Sequence, residues 1–218
     1  MRRARKIFTF VEICALSCPG YGWRMIREIV TYGDPVLREK CPPVGEITET
    51  IRTLAADMVD TMRAADGVGL AAPQIGVALQ LAVVDISHAP ESISYLKVDG
   101  QDTALDAIMP LIFVNPKLEF GGTRESESEG CLSIPEIRGN VDRPVEVQAT
   151  LTLLDGRTIT VETDGLLARA LQHEADHLHG VLFTDRISSA AKVRMRIVLK
   201  RLLAEQGPRR YLPRPGME

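Results

Sequence analysis

The chain lacks any apolar run approaching the ~20 residues needed to cross a bilayer, because every candidate stretch among its 218 residues is broken by charge or proline. No membrane span is expected. It is also poor in cysteine: Cys14, Cys18, Cys41 and Cys131 are too few for the disulfide framework of a small secreted domain, which leaves at least one available as a free thiolate. Nor is there an excess of either charge. The 26 Lys and Arg nearly balance the 29 Asp and Glu, for a net charge of −3, so no whole-molecule field draws the protein onto nucleic acid or an anionic membrane. Internal repeats and low-complexity tracts are missing too, which excludes solenoid and array architectures.

What is present is the ordinary material of one soluble domain, 45% hydrophobic and 25% charged, long enough to bury a full core. Residues 1–24 stand apart. Met1 to Lys6 is basic and Ile7 to Cys18 mostly apolar, the outline of a targeting signal, yet Glu12 interrupts it. A start placed too early is the simpler reading, since Met25 opens a complete-looking domain beginning. The expected organisation is an N-terminal extension over 1–24, a single catalytic domain over 25–206 and a Pro/Arg-rich tail over 207–218.

Between Glu46 and Ala65, the residues Ile51, Leu54, Ala55, Met58 and Met62 recur at helical spacing. Gly67 and Gly69 then stop this helix. Leu79 to Ile86 and Ile112 to Phe120 read as strands, the second with Asn115-Pro116 at an edge or a bulge. Val145 to Leu153 alternates apolar and polar residues, turns at Asp155-Gly156 and returns over Thr158 to Thr163, a hairpin with one buried face. Asp164 can cap a helix running from Gly165 to about His179, closed by Gly180. A last helix, Ser188 to Gln206, carries Val193, Ile197, Leu199 and Leu203. His88 to Pro110 shows no clean period and reads as a long surface loop with one helical turn around Thr103 to Ile108. Strands and helices do not alternate as βαβ units. The expected class is therefore α+β, with antiparallel β-sheets packed around a central helix and a C-terminal helix.

That central helix contains Gln172-His173-Glu174-Ala175-Asp176-His177, an H-E-x-x-H pattern whose histidines stand one turn apart and can chelate one metal ion. Helical phase puts Leu166, Ala170, His173, Glu174 and His177 on one side, and Arg169, Gln172, Asp176 and His179 on a polar stripe. The same string also arises by chance around satisfied core histidines. A catalytic divalent metal usually takes three protein ligands. Downstream only Asp185 is on offer; upstream, Cys131 in Glu129-Gly130-Cys131-Leu132-Ser133 is a strong ligand type, although a lone cysteine also serves as a small buried hydrophobe.

Three stretches, GVGLAAPQ at Gly67 to Gln74, EGCLS at Glu129 to Ser133 and QHEADH at Gln172 to His177, resemble the signature motifs of the peptide deformylases, in the same order. With YGDPVLR at Tyr32 to Arg38, the resemblance covers about Met25 to Arg186. It implies a metal-dependent hydrolase that removes the formyl group from the N-terminal formyl-methionine of nascent polypeptides. Cys131, His173 and His177 are then the metal ligands and Glu174 the general base and acid, while Gln74 and the backbone N–H of Leu132 stabilise the oxyanion. The implied ion is a single divalent metal, Fe²⁺ natively, with Zn²⁺, Ni²⁺ or Co²⁺ also compatible with thiolate and imidazole. Substrate is expected to pair as a strand along Val68, Gly69 and Leu70, with Gly139 and Arg138 flanking the other side. Val68, Leu166 and Ala170 are expected to line the methionine pocket. Glu129, Arg143 and Asp176 are expected behind the ligands, a carboxylate fixing a histidine tautomer and Arg143 holding Glu129. The same reading expects a cytoplasmic monomer that touches the ribosome transiently, without nucleic-acid specificity or membrane attachment. Two competing readings are a zincin-type metallopeptidase, which needs a third ligand other than Cys131, and a catalytically silent module that binds N-terminal peptides or the ribosome.

Overall fold

A computed structural model describes residues 25–213. The expectations placed on residues 1–24, including Cys14 and Cys18, lie outside the described residues. The elements follow in the order β1 (Ile29–Val30), α1 (Glu49–Ala64), β2 (Gly69–Ala71), β3 (Leu81–Val84), β4 (Leu96–Val98), β5 (Gln101–Asp102), β6 (Leu111–Cys131), β7 (Ile134–Leu153), β8 (Thr158–Thr163), α2 (Gly165–Leu178), α3 (Phe183–Arg186), α4 (Ser189–Gln206) and β9 (Arg210–Tyr211). An antiparallel sheet runs in the order β2-β3-β6-β7-β8-β4-β5, and β1 pairs with β9 in a separate two-stranded ribbon. Among the described residues, no helix is long and apolar enough to cross a membrane.

The alternation of β3 shows how the sheet separates two cores. Ala82 and Val84 face α2, with Leu167, Leu171 and Leu178; Leu81 and Val83 face α1, with Met58 and Met62. Each fully buried side chain of this size is worth roughly 1.5–3 kcal/mol, an upper figure because the unfolded chain is itself partly collapsed. The expected α1 positions pack as the periodicity requires, and Thr48 caps the helix by accepting from the N–H of Ile51. A third cluster joins Val30, Leu37, Ile134, Val141, Phe183 and Leu199 beneath the β6–β7 turn.

Several expectations need correction. The segment His88 to Pro110 is no loop: β4 pairs with β8, and β5 with β4, so it widens the sheet, with a 3-10 turn at Leu105–Ala107. Of the two settings expected for Asn115-Pro116, the bulge holds: a register shift between Val114 and Lys117, with Asn115 at φ 51°, accommodates the pair in a central strand. Asp66, at φ 51°, makes the left-handed exit from α1, not the two glycines. Asp164 stands at the N-cap of α2, but its carboxylate accepts from Ser94, tying β4 to the helix start. Of the four apolar positions named on the last helix, Val193 and Ile197 are 64% and 68% exposed, and α4 packs through Ala191, Met195 and Leu199, with Leu203 half-buried. The described part of the tail does not trail away but supplies β9.

Candidate active site

Three segments distant in sequence meet beside α2. The first is the stretch from Gly67 to Ile75, where edge strand β2 runs into a 3-10 turn at Ala72–Ile75. Gln74 is buried there, and its Oε1 accepts from the N–H of Ala71 at 2.8 Å, which turns Nε2 toward the Cys131 Sγ at 3.5 Å. The second is the end of β6. Cys131 is its last residue, paired with Ile134 across a two-residue turn, so it sits at a hairpin tip. The third is α2 itself.

Cys131, His173 and His177 offer ligand atoms that all lie within 4.8 Å of one another, a cluster that can hold a metal ion. Cys131 Sγ is 3.3 Å from His177 Nε2. Tetrahedral bonds of about 2.3 Å to sulfur and 2.0–2.1 Å to nitrogen place neighbouring donors about 3.5 Å apart, so the separation suits one cation. His173 Nδ1 faces Glu129 Oε2 at 3.1 Å, which assigns its proton to Nδ1 and leaves Nε2 for a metal. Burial would lower the pKa of His173, yet hydrogen bonds with Cys131 and Glu129 raise it to about 10, so a cation binding at Nε2 would displace a proton from it.

Glu174 is 3% exposed, and its Oε2 is a buried oxygen without a hydrogen-bond partner. Burial pushes its carboxyl up to about 7, against the opposing pull of the charge on His173. A cation bound alongside acts in the same direction as His173. His177 is held well below its ordinary value by burial and then by the charge of His173, which keeps it neutral as a ligand requires.

Behind the ligands lies a buried ionic cage. Arg143 donates to both oxygens of Glu129 at 2.6 and 2.9 Å and to Asp176 at 2.9 Å. Glu129 is thereby held far below the ordinary carboxylate range even though burial alone would raise it, with His173 and Arg143 both donating to it. These pairs are 4–10% exposed, not the surface ion pairs that the same residues could equally have formed. Arg169 adds a bond to Glu129 Oε1 at 2.7 Å, and Arg186 reaches Asp176 at 2.5 Å. Neither role was read from the sequence, although the polar stripe on α2 had placed Arg169 beside Asp176. Phe183 stacks on His173 with ring centroids 6.5 Å apart, again unforeseen.

Of the expected substrate positions, Gly69 and Leu70 lie on β2, an edge strand of its sheet, and Val68, Leu166 and Ala170 share one apolar cluster. Gly139 and Arg138 do not join them. A Cβ on Gly139 would meet Ile187, Phe183 and Met195, and Arg138 bonds to Ser128, so both brace the β6–β7 hairpin. Asp185, the downstream alternative to Cys131, pairs with Arg38 instead. Unforeseen, the hydroxyl of Tyr211 donates to the carbonyl of Leu132 at 2.9 Å; burial and then the negative charge of Cys131 push this phenol up to about 12, so it stays a donor.

The model of the family described as polypeptide deformylase matches residues 26–193. A peptide deformylase of Opitutus terrae is 44% identical over 172 residues, covering 77% of this chain and 88% of that one. One from Methylacidiphilum infernorum is 39% identical over 178 residues, covering 82% and 93%. Among solved structures, a peptide deformylase from Legionella pneumophila aligns with a TM-score of 0.67 at 36% identity, over 83% of this chain and 97% of that one. A peptide deformylase from Synechococcus elongatus, solved in complex with actinonin, aligns with a TM-score of 0.67 at 34% identity, over 89% and 93%.

Proposed function

This chain belongs to the polypeptide deformylase family and is an enzyme that removes the N-formyl group from nascent peptides; we propose that it does so with Cys131, His173 and His177 around one divalent cation. The observation that carries this reading is the convergence of those three donors within 4.8 Å on the helix that bears Glu174. The competing readings fall with family membership: a zincin has no use for Cys131, and a silent module has no need of an intact donor set.

A bound cation supplies the charge that lowers the pKa of water from ~15.7 toward neutrality. Fe²⁺ is the native ion in this reading, supported by the thiolate–imidazole donor set, which also accepts Zn²⁺, Ni²⁺ and Co²⁺. Glu174 accepts a proton from the attacking water and returns it to the amide nitrogen as the C–N bond breaks, so that formate and a free amine leave. Its burial beside Gly69 keeps that carboxyl close to the edge strand on which the peptide lies. Gln74 Nε2, aimed by the bond its Oε1 accepts, and the N–H of Leu132 donate to the oxygen that becomes negative. The substrate backbone adds to the free edge at Val68, Gly69 and Leu70, while Val68, Leu166 and Ala170 take the methionine side chain. Glu129 holds the His173 tautomer, and Arg143 with Asp176 holds Glu129.

Residues 25–206 form the catalytic domain of this reading, with β9 of the tail laid against it. It works as a monomer in the cytoplasm, where formylated chains are made. Transient ribosome contact is supported by exposed Arg194, Arg196 and Lys200 on α4. The test is formate release from a formyl-methionyl tripeptide by protein purified without oxygen. Glu174→Ala should lower kcat by about 10²–10⁴-fold while the metal stays bound; a variant that still releases formate at the parent rate ends the assignment of Glu174.

A further inference from the structure

The two ends of the described chain meet behind the turn that carries Cys131. β1 and β9 pair at Ile29 with Tyr211 and Val30 with Arg210, and Thr31 continues the ribbon, its N–H donating to the carbonyl of Arg209 at 2.9 Å. Two hydrogen bonds reach from this ribbon to the turn. The N–H of Tyr32 donates to the carbonyl of Ser133 at 2.8 Å, and the hydroxyl of Tyr211 to the carbonyl of Leu132 at 2.9 Å. Consecutive peptide groups are thus gripped from the same side.

The turn has little of its own to hold it. Cys131 pairs with Ile134, so Leu132-Ser133 is a two-residue connection. Such connections match the twist of their strands when at least one central residue has positive φ, and neither Leu132 nor Ser133 does. The register shifts just before it, between Glu129 and Cys131. Ser133 Oγ is buried without a partner and so contributes no side-chain staple.

We infer that Tyr211 is a positioning residue for the hydrolysis: its hydroxyl, delivered by β9, fixes the Leu132–Ser133 peptide and, through the Leu132 Cα that this peptide shares with the one before it, places the Leu132 N–H and the Cys131 sulfur. This rests on reading Cys131 as a ligand and the Leu132 N–H as an oxyanion donor. Tyr211 acts only through the turn. The bond is local in space but not in sequence, so the last strand of the chain is wired to its chemical centre.

Tyr211→Phe removes the hydroxyl and keeps the ring. Nickel-loaded Tyr211→Phe and nickel-loaded parent are compared on a formyl-methionyl tripeptide, alongside the rate at which excess chelator strips the nickel and the thermal midpoint. Loss of one net hydrogen bond predicts a kcat lower by about three- to tenfold, KM within about twofold, and stripping faster by a similar factor. The thermal midpoint should move little. Tyr211→Leu in the full chain removes hydroxyl and ring together and should change both rates by at least as much, which keeps the test sound if the phenylalanine variant folds poorly. Parent-like kcat and stripping rates overturn the inference, as does a drop in thermal midpoint alone. Cys131→Ser separates the two levels: if it still holds nickel, the ligand reading itself fails, whereas if it loses nickel while Tyr211→Phe behaves as the parent, only the role of Tyr211 fails.

Discussion

A Cβ built on Gly69 would lie 2.2 Å from Glu174 Oε1. The backbone at Gly69 has no positive φ, so glycine is demanded by space and not by conformation. Gly69→Ala should push the carboxylate aside and lower kcat by about a hundredfold, the usual cost of misplacing a reacting group by an ångström, while metal content measured by elemental analysis stays at the parent level. A fully active alanine variant would show that Glu174 has room to spare. Arg143 poses the opposite case, a charge shared by two buried carboxylates, each of which keeps a second partner in Arg169 or Arg186. Arg143→Met leaves Glu129 and Asp176 short of a buried counterion and should cost about 3–5 kcal/mol in urea unfolding; a loss under about 1 kcal/mol would place the pair in solvent-like surroundings. Much at this scale was readable from residue types. The spacing of His173 and His177 fixes their shared face through helix geometry alone, and the chemistry of Cys131 marks it as a ligand type. What could not be read is direction: Arg169 lies on the correct stripe, but only the fold shows that it ends on Glu129, and nothing local to Tyr211 points to Leu132.

Among the elements, legibility followed length. α1 and the β7–β8 hairpin carry enough residues for their periods to appear, whereas β4 and β5, with three and two residues, are too short for any alternation. Pairing of β4 with β8, and of β5 with β4, makes them strands, and pairing is a property of the partner. On α4, Ile197 and Leu199 are two residues apart, about 200° around a helix, so the four apolar positions named there do not share one face, and Ala191, Met195 and Leu199 make the packed one. The join of α1 to β3 offers a check in solution. Arg63 donates to Asp85 at the end of β3 at 2.7 Å and Ser87 also bonds it, holding its carboxyl below the ordinary 3.8 despite burial. Because the folded pKa is the lower one, its contribution is present above pH 3.8 and fades as the pH falls through the folded value. Asp85→Asn should therefore unfold earlier than the parent near pH 7, with the gap closing below about pH 4. A gap that stays constant across that range would assign the loss to packing instead.

For the molecule as a whole, the donor cluster couples metal to folding. A cation at about a thousand times its dissociation constant adds about 4 kcal/mol to the folded state, so chelation should lower the thermal midpoint of the parent, and Cys131→Ser should lose most of that response. A response undiminished in the serine variant would locate the binding elsewhere. The order of the large sheet has a separate consequence. Its first strand, β2, has one side unpaired. Main-chain donors and acceptors are the same in every polypeptide, so an edge that reads only these is blind to the residues that follow the first. On the proposed mode of binding, a site built this way serves chains of any following sequence, and selectivity falls to the contacts made with the opening residue.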